Sequence, residues 1–190
     1  MRTALDWLIT IAVASAAVLA FEAEVATPYR IPSSSMEPTI HCARPGEQCE
    51  ATFADRVIAC RLCYTLGEPH RGQIVVFNTP KRAAVACSEG GTYVKRLIGL
   101  PGETIHEDDS GHIWVNGRKL SEPYITPSAR VSDTQFRNAT WHVPQGSYFM
   151  LGDNRGNSCD SRTWGSTARS SLIGPVVATY WPPTRVGANS

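Results

Sequence analysis

An apolar segment near the N-terminus constrains the fold of this chain most. It covers residues 7–21, follows Arg2, and is closed by Glu22. A helix of 15 residues rises about 22 Å, short of the roughly 30 Å hydrocarbon core, so spanning a bilayer requires extension over residues 4–26. Because positively charged flanks stay in the cytoplasm, the segment predicts a transmembrane anchor with its N-terminus inside and the rest of the chain exported.

The same segment has a second interpretation, a cleaved signal peptide. It is short, and Ala14-Ser-Ala16 has the small-x-small pattern of a cleavage site. Both interpretations export the rest of the chain. With the anchor retained, we predict a cytoplasmic tip and transmembrane anchor at residues 1–26 and an extracytoplasmic domain at residues 27–190, which contains a Cys-rich insertion at residues 41–63.

Composition argues against one class of partner. The chain has 18 Lys and Arg against 17 Asp and Glu, and its 18% of charged residues is below the roughly 25% of ordinary globular proteins. Binding to a polyanion needs a clear excess of positive charge, so no nucleic acid is expected as a partner. Six cysteines in an exported chain favour disulfides, whereas in a reducing cytosol they would indicate metal or redox chemistry.

The segments after the Cys-rich stretch predict a mostly β fold. Residues 73–77 form a continuous apolar, β-branched run and residues 92–99 a second predicted strand, and each is followed by turn residues. Asn116-Gly117 is a strong hairpin signal within a meander that starts at residue 103. Residues 121–140 are rich in proline and polar residues and are predicted to form an exposed connection. Further strands are expected at residues 141–143, 147–151 and 176–181.

Two polar segments interrupt this pattern and are candidates for chemistry. Residues 32–39 place three serines between two prolines, which fix φ and limit the freedom of the loop. Residues 152–162 mix Asp, Asn, Ser and Arg and can form a dense hydrogen-bonded cluster. By composition alone, the first is also consistent with a flexible linker and the second with a solvated loop. An EF-hand is excluded because no Glu closes a twelve-residue calcium loop.

Lys95 in the predicted strand 92–99 offers a base for a serine nucleophile. Side chains alternate along a strand, so Lys95 shares a face with Tyr93 and Leu97, and Arg96 points to the other face. A lysine must be neutral to act as a base, and lowering its pKa from about 10.4 to about 7–8 costs on the order of 4 kcal/mol of desolvation. Burial can impose this cost, although a lysine that extends to the surface would have the same local sequence.

Three motifs, taken in order, resemble those of the type I signal peptidases. They are Ser-x-Ser-Met-x-Pro-Thr at residues 33–39, Tyr-Val-Lys-Arg-x-Ile-Gly-x-Pro-Gly at residues 93–102, and Gly-Asp-Asn-Arg-x-x-Ser-x-Asp-Ser-Arg at residues 152–162. The resemblance extends from the apolar segment to Arg162. It implies a mostly β, signal-peptidase-type antiparallel sheet or barrel-like catalytic domain after one transmembrane helix, with no metal or organic cofactor.

The resemblance also assigns roles to individual residues. It makes Ser35 the nucleophile and Lys95 the general base, with the Ser33 hydroxyl and the backbone N–H of Ser35 donating to the oxyanion. Ser158 would hydrogen-bond the lysine amine and orient it. The supporting polar scaffold would contain Arg96, Asp153, Asn154, Arg155, Asp160 and Arg162.

The resemblance implies a membrane-bound serine endopeptidase that removes signal peptides from secreted preproteins after small residues, at Ala-x-Ala sites. Its partners would be preproteins and the lipid bilayer. It would be a monomeric, single-pass plasma-membrane protein with its catalytic domain outside the cytoplasm. Two alternatives stay open: a self-cleaving Ser/Lys repressor protease, which would lack the N-terminal membrane segment, and a non-catalytic exported module.

The cysteines are the main departure from the pattern of the family. Export favours disulfides, and Cys42 with Cys49 would close a short loop, whereas the other pairings stay open. The alternative is a structural zinc ion bound by Cys42, Cys49, Cys60 and Cys63. Gln73 and Gly156 also stand where the family commonly has Asp, and neither is a reacting group.

Overall fold

The protein consists mostly of antiparallel β-strands that follow one N-terminal helix. The computed structural model describes residues 2–88, 90–131 and 134–188. The α-helices are α1 (Arg2–Glu24), α2 (Cys63–Leu66), α3 (Lys81–Ala86), α4 (Pro127–Val131) and α5 (Ser161–Trp164). The strands are β1 (Ala26–Arg30), β2 (Arg56–Cys60), β3 (Ile74–Asn78), β4 (Thr92–Gly99), β5 (Thr104–Glu107), β6 (Ile113–Val115), β7 (Arg118–Lys119), β8 (Thr140–His142), β9 (Ser147–Leu151), β10 (Thr167–Ala168), β11 (Leu172–Trp181) and β12 (Gly187–Ala188).

The larger sheet contains eight strands in the order β1-β2-β11-β3-β4-β9-β10, with β12 paired to β11. Every pairing in it is antiparallel. The predicted mostly β, antiparallel architecture is therefore confirmed. Strand β4 lies inside this order between β3 and β9, so the backbone of Lys95 belongs to an interior strand.

A smaller sheet of four strands has the order β7-β6-β5-β8. Its β6–β7 hairpin turns at Asn116 and Gly117, whose φ angles are 50° and 76°. A two-residue hairpin with positive φ at both positions matches the right-handed twist of its strands. The hairpin predicted from this dipeptide is confirmed.

Apolar side chains of both sheets form the core and surround β4 on each side. Leu97 packs with Val75, Phe77 and Met150 in one cluster, and Tyr93 lies against the same cluster. Ile98 belongs to a different cluster with residues of the smaller sheet. The alternation predicted along 92–99 is therefore present, and it places Lys95 on the side of Tyr93 and Leu97.

The membrane span predicted at residues 4–26 is not found in the structure. None of the helices in the described ranges combines the length and the apolar character that a bilayer crossing requires.

The predicted exposed connection at residues 121–140 is in part buried. Glu122, Ile125 and Ala129 are each less than 10% exposed. The Arg155 side chain, which is buried, donates to both carboxylate oxygens of Glu122 and draws this segment onto the domain. The proline and polar residues predicted a loop, but they did not show that Arg155 lies beneath it and pairs with Glu122.

The six cysteines form three disulfides, Cys42–Cys49, Cys60–Cys63 and Cys87–Cys159. The predicted pair Cys42–Cys49 is confirmed. The zinc alternative is wrong in this structure because all four of its sulfur ligands are bonded to other sulfurs, and a disulfide offers no thiolate to a metal.

Candidate active site

The serine loop is a short 3₁₀ turn that a second loop holds in place. Residues Ser34–Met36 form the turn, and Met36 is buried in the core. The backbone N–H of Asn154 donates to the Ser35 carbonyl at 3.1 Å, and its side-chain amide donates to the Ser34 carbonyl at 3.1 Å. Asn157 donates to the Ser34 hydroxyl at 2.7 Å. The two polar segments that the sequence singled out are therefore joined, and the loop is not a flexible linker.

Ser35 and Lys95, which are 60 residues apart in sequence, meet at this junction. Lys95 Nζ lies 2.5 Å from Ser35 Oγ, within hydrogen-bond distance. The Lys95 residue is only 3% exposed, and its Nζ lies 5.5 Å from the centre of the Tyr93 ring. Burial disfavours the charged form of an amine, so this position suits a lysine that accepts a proton.

The Ser33 hydroxyl lies beside the same atom. Its Oγ is 3.4 Å from Ser35 Oγ, and the residue is exposed to the cleft. Ser35 lies in the first turn of the 3₁₀ helix, where backbone N–H groups have no intrahelical acceptor. A hydroxyl and a backbone N–H therefore stand next to the candidate nucleophile.

Gly152 provides the space in which the two loops meet. A Cβ atom at this position would overlap the Ser158 side chain and lie 2.5 Å from the Ser35 carbonyl oxygen. Only a residue without a side chain permits this approach. The glycine that begins the third motif therefore has a steric role at the site.

A buried ion pair connects strand β4 to the third motif. Arg96 donates to the two carboxylate oxygens of Asp153 at 2.9 and 2.6 Å, and the Thr39 hydroxyl donates to the same carboxylate at 2.5 Å. Arg96 also stacks on the Tyr124 ring at 3.8 Å. Burial raises the pKa of Tyr124, so its hydroxyl stays neutral beneath this cation. The pair therefore ties Arg96, the residue that follows Lys95 in β4, to the third motif.

A second buried ion pair lies next to it. Arg162 donates to Asp160 through Nε and Nη2, each at 2.8 Å, and Asp160 accepts the backbone N–H of Gly152 at 3.1 Å. Burial raises the pKa of Asp160 to about 6, although the charge of Lys95 acts in the opposite direction. The bonds to Arg162 and to the Gly152 backbone hold Asp160 in place beneath the site.

Sequence reasoning missed several residues of the support. Glu122 pairs with Arg155 and with Arg130, and Glu107 lies 3.5 Å from an Arg162 nitrogen. Burial raises the pKa of Glu107, and the Arg162 charge opposes that rise. A signal was available, because three arginines in or near the motifs required buried acids beyond Asp153 and Asp160. The distance in sequence concealed which acids these were.

The predicted hydrogen bond between Ser158 and Lys95 is absent. The Ser158 hydroxyl is buried and has no hydrogen-bond partner in the part of the chain that the structure describes. The lysine amine is directed to Ser35 Oγ instead. The other predicted site residues are brought together as the motifs suggested.

The Ser35–Lys95 contact opens onto a cleft of about 570 Å³. Cys159 contributes to its wall and is tied to Cys87 at the end of α3, while Cys49 contributes from the other disulfide. Disulfides therefore brace two walls of the cleft. A cavity of this size accommodates a few residues of an extended peptide.

One group of side chains in the described ranges brings three metal-ligating atoms together, namely Glu37, His41 and Glu50 within 4.8 Å of one another. His41 and Glu37 are already hydrogen-bonded to each other, and Glu50 is exposed. The hydrogen bond between Glu37 and His41 accounts for their proximity. Neither Glu37 nor Glu50 has a role in the chemistry of Ser35 and Lys95.

Comparisons with known proteins agree with the motifs. Residues 4–181 match the family described as signal peptidase, peptidase S26. The probable signal peptidase I-2 of Synechocystis is 40% identical over 157 residues, which cover 83% of this chain and 64% of that protein. The signal peptidase I of Leptolyngbya laminosa is 35% identical over 94% of this chain and 80% of that protein.

A solved structure of a signal peptidase I from Enterococcus faecalis is 34% identical, covering 58% of this chain and 97% of that one, with a TM-score of 0.47. The family match spans nearly the whole chain, and the two relatives are 40% and 35% identical to it over the aligned residues. The chain therefore belongs to the signal peptidase family, peptidase S26, and within it to the type I signal peptidases.

Proposed function

We propose that this protein is a Ser35/Lys95 endopeptidase that removes signal peptides from exported preproteins by cutting after small residues. The observation that carries the proposal is the 2.5 Å contact between the buried Lys95 amine and the Ser35 hydroxyl, at the wall of a peptide-sized cleft. An exported module without catalytic activity would not require this contact. Membership of the signal peptidase family supplies the class of substrate.

The geometry supports a two-step acyl transfer. Ser35 Oγ attacks the scissile carbonyl while its proton passes to the neutral Lys95 amine. The resulting ammonium protonates the leaving amine, which departs and leaves an ester on Ser35. A water molecule then gives a proton to the regenerated Lys95 amine and attacks the ester, which releases the signal peptide with a free carboxylate and restores the serine. No step needs a metal or an organic cofactor.

The negative charge that develops on the carbonyl oxygen needs donors. The backbone N–H of Ser35 and the Ser33 hydroxyl, which lies 3.4 Å from Ser35 Oγ, supply them. The asparagine contacts to the serine loop hold these donors in position before the substrate arrives. The loss of one such donor typically costs about 10²–10³ in kcat.

Small residues before the cut fit the walls of the cleft. The Tyr93 ring and the Cys159 end of a disulfide line the cleft together with Ser35 and Lys95. We propose Ala-x-Ala sites as the preferred sequences on this basis and on the resemblance to the family.

The activity is tested by incubation of the detergent-solubilised protein with a preprotein that contains one Ala-x-Ala site. We expect a single cut after the second alanine, located by mass spectrometry. Ser35→Ala is expected to lose at least about 10³-fold in rate because it removes the hydroxyl that lies against the Lys95 amine. The matched control Ser110→Ala changes an exposed serine in a turn and should cut at the normal rate. Normal cleavage by Ser35→Ala would contradict the proposal.

We also propose that helix α1 attaches the protein to a bilayer and that the catalytic region works outside the cytoplasm. Eight large apolar side chains of α1 are more than half exposed, and at about 1.5–3 kcal/mol each their transfer out of water favours membrane binding by on the order of 10 kcal/mol. Three disulfides are typical of an oxidising compartment. The apolar side chains are Leu5, Trp7, Leu8, Ile9, Ile11, Val13, Val18 and Leu19.

Flotation with phospholipid vesicles tests the attachment. The wild-type protein should float with the vesicles, whereas Leu8→Asp/Ile11→Asp should shift most of the protein to the soluble fraction, because two charges on one helix face oppose burial in lipid. Val85→Asp is the matched control, since Val85 is an equally apolar and 86% exposed residue on helix α3. Flotation of the double variant at the wild-type level would contradict a role of α1 in attachment.

A further inference from the structure

Glu47 is an acidic residue on the wall of the catalytic cleft that the mechanism does not use. It lines the cleft together with Ser33, Ser35 and Lys95, and its side chain is exposed to the cavity. Among the described residues that line the cleft, only Lys95 and Glu47 have ionisable side chains with a formal charge. No ion pair to Glu47 occurs in the described part of the chain, so its charge faces whatever peptide enters.

The loop that carries Glu47 is closed and braced. The Cys42–Cys49 disulfide joins its two ends, and both cysteines are buried. Arg44 donates its backbone N–H to the Ala51 carbonyl at 2.9 Å and its Nε to the Cys49 carbonyl at 3.3 Å. Gly46 lies so close to Cys49 that a Cβ would come within 2.6 Å of its sulfur. A loop held in this way keeps the carboxylate at the cleft.

The cleft is narrow enough for the Glu47 charge to interact with a bound peptide without being fully screened by salt. A sphere with the volume of the cleft, about 570 Å³, has a diameter of about 10 Å, close to the Debye length of about 8 Å at physiological ionic strength. Lys95 must be neutral to take the proton of Ser35, so Glu47 is the charged side chain among the described lining residues during attack. We infer that Glu47 makes the enzyme selective for preproteins with a basic residue two positions before or after the scissile bond and against those with an acidic one.

The inference rests on the proposed peptidase activity and names a class of substrate within it. A partly solvated charge pair contributes only modestly to the free energy of substrate binding. Glu47 attracts a lysine and repels a glutamate in the substrate, so both effects contribute when the two substrates are compared. We expect kcat/KM for a lysine substrate to exceed that for a glutamate substrate about fivefold at low salt. The ratio should fall towards one at about 0.5 M NaCl because salt screens the interaction.

The test uses synthetic peptides with one Ala-x-Ala site, identical except for Lys, Gln or Glu at one position. One series varies the middle residue of the site, and a second series varies the second residue after the cut. Glu47→Gln should show no preference between the Lys and Glu peptides, and Glu47→Lys should invert the preference. Glu50→Gln is the matched control, since Glu50 is an exposed acid outside this cleft, and it should keep the wild-type preference.

The outcomes separate the inference from the function beneath it. A preference in either series that disappears in Glu47→Gln and reverses in Glu47→Lys supports the inference. Equal rates for all wild-type peptides, or a preference that persists in Glu47→Gln, overturns it and leaves the peptidase activity in place. If the wild-type protein cuts none of the Gln peptides, the proposed function fails, and the inference fails with it.

Discussion

Replacement of Lys95 by arginine is expected to abolish preprotein cleavage, with a loss of at least about 10³-fold in kcat/KM. The guanidinium group cannot give up its proton in a protein, so the Lys95→Arg side chain would offer no base to the Ser35 hydroxyl, although its charge equals that of a protonated lysine. It is also larger than the amine that now lies 2.5 Å from Ser35 Oγ. Lys95→Ala should be as inactive, since it removes the base and leaves the nucleophile.

The control for this prediction is Lys81→Arg, the same substitution at an exposed position at the start of helix α3. It should cleave at the wild-type rate. Thermal unfolding of both variants, followed by circular dichroism, distinguishes a chemical defect from a folding defect. Substantial cleavage by folded Lys95→Arg protein would show that lysine is not the base.

Replacement of Asp153 by alanine is expected to lower the free energy of unfolding by about 3–5 kcal/mol. The variant leaves Arg96 buried, at 5% exposure, without its carboxylate, and an uncompensated buried charge is costly. The Thr39 hydroxyl loses its acceptor as well. Because Arg96 neighbours Lys95 in β4 and Asp153 adjoins Gly152, cleavage activity should fall with stability. Denaturant unfolding monitored by tryptophan fluorescence measures the change.

Thr39→Val is the matched control for Asp153→Ala. It removes the hydrogen bond to Asp153 but keeps the ion pair, so a loss of only about 1 kcal/mol is expected. Should Asp153→Ala lose no more than Thr39→Val, the ion pair would contribute little to the stability of the site. A large difference between the two variants is the expected result.

Much of the fold could be predicted because its signals are local. The strand predicted at residues 147–151 is observed with these bounds, and that at residues 92–99 is β4 itself. The Asn116-Gly117 turn follows from the φ angles that these two residues adopt. The membrane crossing predicted at residues 4–26 is not found among the described helices.

The candidate site was harder to predict than the strands. Ser35 and Lys95 were identified because their motifs resemble those of a known family, not because the local sequence required their contact. The pairs Arg155–Glu122 and Thr39–Asp153 join residues more than 30 positions apart, and no local sequence pattern predicts them. The Cys87–Cys159 disulfide is equally remote in sequence, and six cysteines allow 15 connectivities.

By itself the sequence determined the strand periods, the turns and the two polar segments, since these depend on backbone preferences over a few residues. Only the tertiary structure decided that Lys95 is buried and lies against Ser35, and that Glu47 faces the same cleft. The physical reason is that desolvation and charge interactions depend on what surrounds a group in space. A lysine in an isolated strand is solvated and charged, whereas the packing of β3, β9 and the third motif around β4 removes that water.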